Sequence, residues 1–342
     1  MKNTIEIRFC NENDILNVMN FIKDNWNENH ILANNKFVME YEHFWNNKFN
    51  YVIAYDNLNN KICGICGIIP YTKNYNIDIS AGIWRAIKTS NFLTGTNILK
   101  FIQENTKCRS FLCCGINKDT IKLREYLGHK IGKLNHYYRL NNKSEYSICI
   151  VNNKNIMPIK QKDELYLFEI FEINDIKNKF DIYKYKDRIT FKDWDYIEHR
   201  YFKHFKYKYK FLCIGKNENF INSIIIAKEI IFDKNTKVLR IIDFIGNESD
   251  LPKISHQLND ILVSNGYEYI DFYCYGISND IFYKMGFNIR DDEDTNVIPN
   301  YFEPFEQKNI DIYFSIYVDK NYKSLPIYIF KGDADQDRPN KI

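Results

Sequence analysis

The apolar positions of the chain fall into two rhythms. Short runs that alternate or stay continuously apolar read as strands, and stretches with apolar residues three or four apart read as helices. "TIEIRFC" (4–10) is a strand by alternation. Residues 11–29 follow as an amphipathic helix, with Asn13 or Asp14 at its cap and Ile15, Val18, Met19 and Ile22 on its buried stripe. "FNYVIAYD" and "KICGICGIIPY" are apolar strands joined by "NLNN", a hairpin signal, and "IDISAGIWRAI" (77–87) is the next strand. A polar loop leads to a helix in "TNILKFIQENT", a buried strand in "SFLCCGI" and a helix in "KDTIKLREYLG", with Gly128 at its C-cap. "KLNHYYRLN" (133–141) is the last strand of this series.

After a connection at 141–164 the series starts again. "TFKDWDYIEHRYFKH" has helical spacing, "FLCIGKN" and "NSIIIAKEIIFD" pair as strands, and "LRIIDFIG" is a strand. A helix from Asp250 to Gly266, a buried strand in "YEYIDFYCYGI" and a closing strand in "KNIDIYFSIY" (308–317) complete it. The stretch "REYLGHKIGK" (124–133) returns as "IFYKMGFNIR" (281–290), each copy preceded by an apolar strand, Gly-Ile and a polar turn. Two versions of one strand-rich unit are expected, divided into 1–142 and 143–342. Each is an α+β domain with a mixed, mostly antiparallel sheet flanked by helices.

Composition narrows the function without choosing it. The 342 residues include 45% hydrophobic and 27% charged, an ordinary globular balance. A net charge of +3 argues against nucleic acid as partner. The Lys-aromatic run "FKHFKYKYKF" (202–211) reads either as a strand with a solvated lysine face or as a phosphate or single-strand groove, the strand preferred because there is no second such stripe. The nine cysteines are spaced for neither a metal clasp nor a disulfide framework and are expected as buried thiols of a cytoplasmic protein. The first residues read as a strand start rather than a signal peptide, and no apolar run has membrane-spanning length.

The order of elements, with "FLTGTNILKFI" and "CCGINKDTIKLREYLGHKIGKLNHYYRL", resembles the GNAT (Gcn5-related N-acyltransferase) superfamily. The whole layout, with "WNENHILANN", "HRYFKHF", "IIDFIG", "VIPNYFEPF" and "KGDADQDRPN", is similar to bacterial tandem-GNAT sugar acyltransferases. That resemblance implies acyl transfer from acyl-CoA, with acyl carrier protein as an alternative donor and no metal. The acceptor it implies is the amino group of a nucleotide-linked amino-deoxy sugar, made for O-antigen, capsule or lipopolysaccharide. A FemAB-like aminoacyl transferase and a non-catalytic GNAT-like binding module are the alternatives.

By the same resemblance the donor lies along "IDISAGIWRAI", at Ile83 and Trp84, with main-chain N–H groups of "SAGIW" on the oxyanion. Its pyrophosphate lies at the following loop and helix start, on Lys88, Leu93, Thr94, Gly95, Thr96 and Asn97. The family's Gln/Arg-x-x-Gly-x-Gly/Ala positions fall on Ser90, Leu93 and Gly95, of which only Gly95 fits. Trp84 either stacks on the donor or fills core. Asn117 would hold the pantetheine arm, and the usual tyrosine acid is replaced by Arg124, with Tyr126 facing elsewhere. The second half carries Glu248 and Asp250 where phosphate would go, which places the donor in the first half alone. An amine acceptor needs a base, for which His30 and His136 are the candidates, His30 preferred. Trp26, Asp243, Tyr301, Glu303, Phe305 and Arg338 are the expected acceptor contacts, with Arg338 on a phosphate.

Overall fold

The computed structural model describes residues 5–73, 77–87, 93–233 and 236–340. Lys88 and Ser90, in the expected pyrophosphate loop, lie outside the described residues.

The first half supplies strands β1 (Ile5–Phe9), β2 (Tyr51–Asp56), β3 (Lys61–Pro70), β4 (Asp78–Ala86), β5 (Ser110–Cys114), β6 (Lys130–Lys133) and β7 (Asn135–Leu140). The second supplies β8 (Tyr166–Ile170), β9 (Tyr209–Asn217), β10 (Phe220–Ile231), β11 (Lys237–Ile245), β12 (Tyr269–Tyr275), β13 (Asn288–Arg290), β14 (Tyr313–Val318) and β15 (Ile329–Phe330). One sheet runs β1-β2-β3-β4-β5-β14-β6 and the other β8-β9-β10-β11-β12-β7-β13, with β15 also on β12. Only β4–β5 and β11–β12 are parallel pairs within these sheets. The repeated architecture and the mixed, mostly antiparallel sheets are as the pattern predicts.

The closing strands differ from expectation. β7, read as the end of the first series, lies in the second sheet between β12 and β13. β14, read as closing the second sheet, lies in the first between β5 and β6. Each lobe lends its last long strand to the other, so each sheet draws on both halves of the chain. A buried polar hub adds to the join. Asp78 accepts from Arg109 (2.5 and 3.1 Å), from Ser110 Oγ (2.6 Å) and from the Phe191 N–H (2.7 Å). Arg109 in turn donates to the carbonyls of Lys186 and Arg188, so every arm of this buried pair has a partner.

Helices cover the sheets by their apolar stripes. α1 (Ile15–Asn25) buries Ile15, Val18, Met19 and Ile22, and Asn11 with Asp14 forms a capping box on the turn before it. The short α2 (Ile31–Asn34) and α3 (Lys36–His43) follow. α4 (Thr94–Thr106) buries Ile98, Leu99 and Ile102 against the first sheet. The repeated motif is one structure used twice. α5 (Ile121–Tyr126) ends at Gly128 and α6 (Asn279–Lys284) at Gly286, with φ of +80° and +74°, the left-handed turn that glycine takes without strain. All nine cysteines are free and most are buried. Among the described residues no helix is long and apolar enough to cross a membrane.

Candidate active site

The β4–β5 pairing covers only Asp78–Ser80 against Ser110–Leu112. Past that point Cys113 and Cys114 stay paired with β14 on the far side. β4 stays paired with β3 through a bulge, Gly82 and Ile83 of β4 standing against Gly67 of β3 between the Cys66–Trp84 and Ile68–Ala81 pairs. The two strands therefore part. A cleft of about 1150 Å3 opens between them, lined by Ala81–Ile87, Cys113–Asn117, the first turn of α4, the 26–32 segment and the 335–340 tail.

The donor-side expectations gather here. Ile83, Trp84, Thr94, Gly95, Thr96 and Asn117 all line the cleft, while Leu93 and Asn97 sit at the start of α4 off its wall. Gly95 lies close against Trp84, where a Cβ would stand 3.1 Å from the ring. That ring donates from Nε1 to the Gly95 carbonyl at 3.1 Å and carries the Arg124 guanidinium 4.8 Å from its centre. Trp84 is thus held between helix start and Arg124 as a fixed wall. Arg124 occupies the usual tyrosine position and donates to Ser315 Oγ (3.0 Å), whereas Tyr126 is 84% exposed and off the cleft. Asn117 accepts from the Asp119 N–H at 3.0 Å, which orients it.

Of the acceptor-side expectations, Trp26, His30, Tyr301, Glu303 and Arg338 line the cleft. Trp26 is 51% exposed at its rim. Tyr301 and Glu303 belong to a small hairpin, and Glu303 is held by Lys206 and the Tyr207 hydroxyl at 3.1 and 3.2 Å. Arg338 pairs with buried Glu42, so its charge is already met and it is not left for a phosphate. Burial would raise the Glu42 carboxyl, but Arg338 prevails and holds it far below the usual range.

Besides Leu93 and Asn97, three expectations fall outside the cleft. His136 lies in the second sheet, 3.0 Å from Asp271 and stacked on Tyr273, and burial pushes its ring down to about 4. Asp243 pairs with Lys192 (2.7 Å) and accepts from Tyr201 (2.7 Å) in the second core. Phe305 packs on Phe232 and Phe302. Burial drew each inward: a polar side chain in an apolar strand needs an internal partner, and each polar one found it. His30 keeps its place but gains a structural task. Its Nδ1 accepts the Leu32 N–H at 3.2 Å, capping α2, and its ring is also bonded to Asn340.

The sequence reading missed Asp335, Gln336, Glu42 and His43, all on the cleft wall. The first two lie inside the quoted tail "KGDADQDRPN", from which only Arg338 was drawn; nothing in "YEHF" sets Glu42 or His43 apart.

The second sheet repeats the parting. β11 and β12 pair only over Leu239–Ile241 and Ile270–Phe272. With β7 on the far side of Cys274, β15 pairs with Cys274 and Tyr275 on the near side and enters the gap. Gly332 follows, packed against Ile242 and the Tyr201 hydroxyl with no room for a Cβ. The tail then leaves this filled wedge and lines the open one.

No known family description and no curated protein matches the sequence. Among solved structures, a conserved protein of unknown function from Enterococcus faecalis, described as a probable N-acyltransferase, superposes with TM-score 0.57 over 92% of this chain and 73% of its own, at 7% identity. A putative acetyltransferase from Pyrococcus horikoshii (TM-score 0.47, 10% identity, 97% and 95% covered) and Saccharomyces cerevisiae N-myristoyltransferase with bound myristoyl-CoA (0.48, 8%, 93% and 79%) align more loosely. At such identities the likeness carries the fold and no residue. The class is a two-lobed α+β fold, shared along most of the chain with the Enterococcus protein.

Proposed function

We propose that the protein is a CoA-dependent N-acyltransferase that acylates the amino group of a nucleotide-linked amino-deoxy sugar by direct attack in a ternary complex. One observation carries the reading: the parallel strands part into an open cleft beside the N-terminus of the 13-residue α4. The N–H groups of β4 past Ser80 have no ladder partner on the cleft side, and they suit the amides of a pantetheine arm and an oxyanion. The α4 start, with Thr94, Gly95 and Thr96 in its first turn, offers main-chain donors and the positive end of a dipole to a pyrophosphate. Lys88 is proposed to add a charge there. Asn117 is proposed to steady the pantetheine.

The nucleophilic nitrogen adds to the thioester carbonyl, the C–S bond breaks, and CoA leaves as thiolate, which needs no tyrosine acid at Arg124. Trp26, Tyr301 and Glu303 are proposed as the sugar contacts, with a ring to stack on and a carboxylate to accept from hydroxyls. The sugar acceptor and the role in surface-glycan synthesis rest on the resemblance of the quoted motifs. Acyl carrier protein remains an alternative donor. The test is mass spectrometry of UDP- and dTDP-linked amino hexoses incubated with a panel of acyl-CoAs, alongside calorimetry with CoA. Product masses raised by one acyl group support the reading; absence of CoA binding overturns it.

A further inference from the structure

Resting on that reading, we propose that the Asp335 carboxylate is the general base that accepts the proton of the attacking amine. It stands on the cleft wall in the tail segment laid over the parted strands. Its neighbour Gln336 marks the place: the Gln336 side-chain nitrogen lies 3.3 Å from where a Cβ of Gly115 would be, at the end of β5. Gln336 is itself fixed, its oxygen accepting from Asn300 and Lys331 at 3.1 Å each. Asp335 therefore lines the same cleft as the β4 N–H groups offered to the thioester carbonyl, on a tail locked into the second lobe.

The other carboxylates of the cleft are committed. Glu42 pairs with Arg338, Glu303 with Lys206 and Glu306 with Lys308. Among the described residues no hydrogen bond or ion pair holds the Asp335 carboxylate, while its carbonyl accepts from the Arg338 N–H at 2.9 Å. The histidines are poor rivals. His30 uses its Nδ1 lone pair on the Leu32 N–H, and burial pushes buried His43 down to about 3.

The groups facing Asp335 are Arg338, Glu42 and Arg200, together with Tyr51, Cys66 and Cys114. Arg338 and Arg200 are largely spent on Glu42 and Asp337, which leaves burial to dominate, and it raises the Asp335 carboxyl to about 6. A base of that strength is ionised at neutral pH yet takes a proton readily. In the step, the nitrogen bonds to the carbonyl carbon and one N–H proton passes to Asp335. The C–S bond then breaks, and the proton moves on to the departing thiolate or to solvent.

The experiment follows CoA thiol release from acetyl-CoA with the UDP- and dTDP-linked amino hexoses between pH 5 and 8, with CoA affinity measured in parallel by calorimetry. For the wild type, kcat/KM should fall on the acid side with an apparent pKa near the carboxyl's about 6. Asp335→Asn should lose at least about 100-fold in kcat and the acid limb together, with CoA affinity unchanged; Asp335→Glu should restore part of both. Turnover of Asp335→Asn within fivefold of wild type, or a flat wild-type profile from pH 5 to 7, overturns the proposal. Should Asp335→Asn fail to fold, the wild-type and Asp335→Glu profiles decide. A wild-type protein that binds no CoA overturns the acyl-transfer reading itself, a separate outcome.

Discussion

In the first lobe β4 and β5 separate after Ser80 and Leu112, and the gap is a cleft of about 1150 Å3. In the second, β11 and β12 separate after Ile241 and Phe272, and the gap is taken by Ile329–Phe330 and the Lys331–Asp333 turn. The backbone geometry is the same; what differs is whether chain fills the wedge. The local chemistry follows. The open wedge ends at a helix start with Thr94, Gly95 and Thr96, whereas the filled one is followed by Glu248 and by Asp250, which accepts from Ser223 Oγ and pairs with Lys253. A parted parallel pair thus stays open only where nothing in its own chain completes it.

The comparison breaks most visibly where the wedge is filled. Phe330→Ala empties a 3% exposed position in the second core and should cost about 3–5 kcal/mol in chemical denaturation, with little local collapse to compensate. Gly95→Glu acts on the open wedge instead. It drives a side chain into Trp84 and a negative charge into the helix start, and should weaken CoA at least about 100-fold by calorimetry while denaturation changes far less.

Asp335→Asn sharpens the contrast by stability. A carboxyl raised to about 6 when folded binds its proton more tightly than in the unfolded chain, so the wild type loses stability as pH rises from about 4 to 6. The variant lacks that loss and should be more stable at pH 7 by on the order of 1–2 kcal/mol, a rise of a few degrees in Tm; equal melting would show that Asp335 gains no proton affinity on folding. His30→Ala should do least: loss of a cap of about 1 kcal/mol, with turnover within a few fold. A hundredfold fall in its rate would return the base to His30.

Much of the fold was legible because its signals are local. The 124–133 and 281–290 copies carry a helix stop at Gly128 and Gly286, and those turns appear where the pattern put them. That Ile83, Trp84 and Thr94–Thr96 share a cleft wall was legible for the same reason, since they sit on one strand and one helix start. Strand partners were not. An alternating run such as "KLNHYYRLN" declares a strand but not which sheet holds it, so β7 and β14 were assigned to their own lobes. His136 and Asp243 were misplaced because a polar residue in an apolar strand looks alike whether it faces a cleft or an internal ion pair. Asp335 was hidden by its setting, in a tail whose path over the cleft depends on contacts made far away in sequence.

The lending of β7 and β14 also bears on how the molecule comes into being. A chain emerging from the ribosome presents β5 and β6 nearly two hundred residues before the strand that must stand between them, so the first sheet waits as two pieces with exposed edges. Residues 313–340 close that sheet, stop the second wedge and bring Asp335 to the first, all of them made after the strands they join. A nascent protein cut short before them would hold most of its helices and strands and still lack one wall of the cleft.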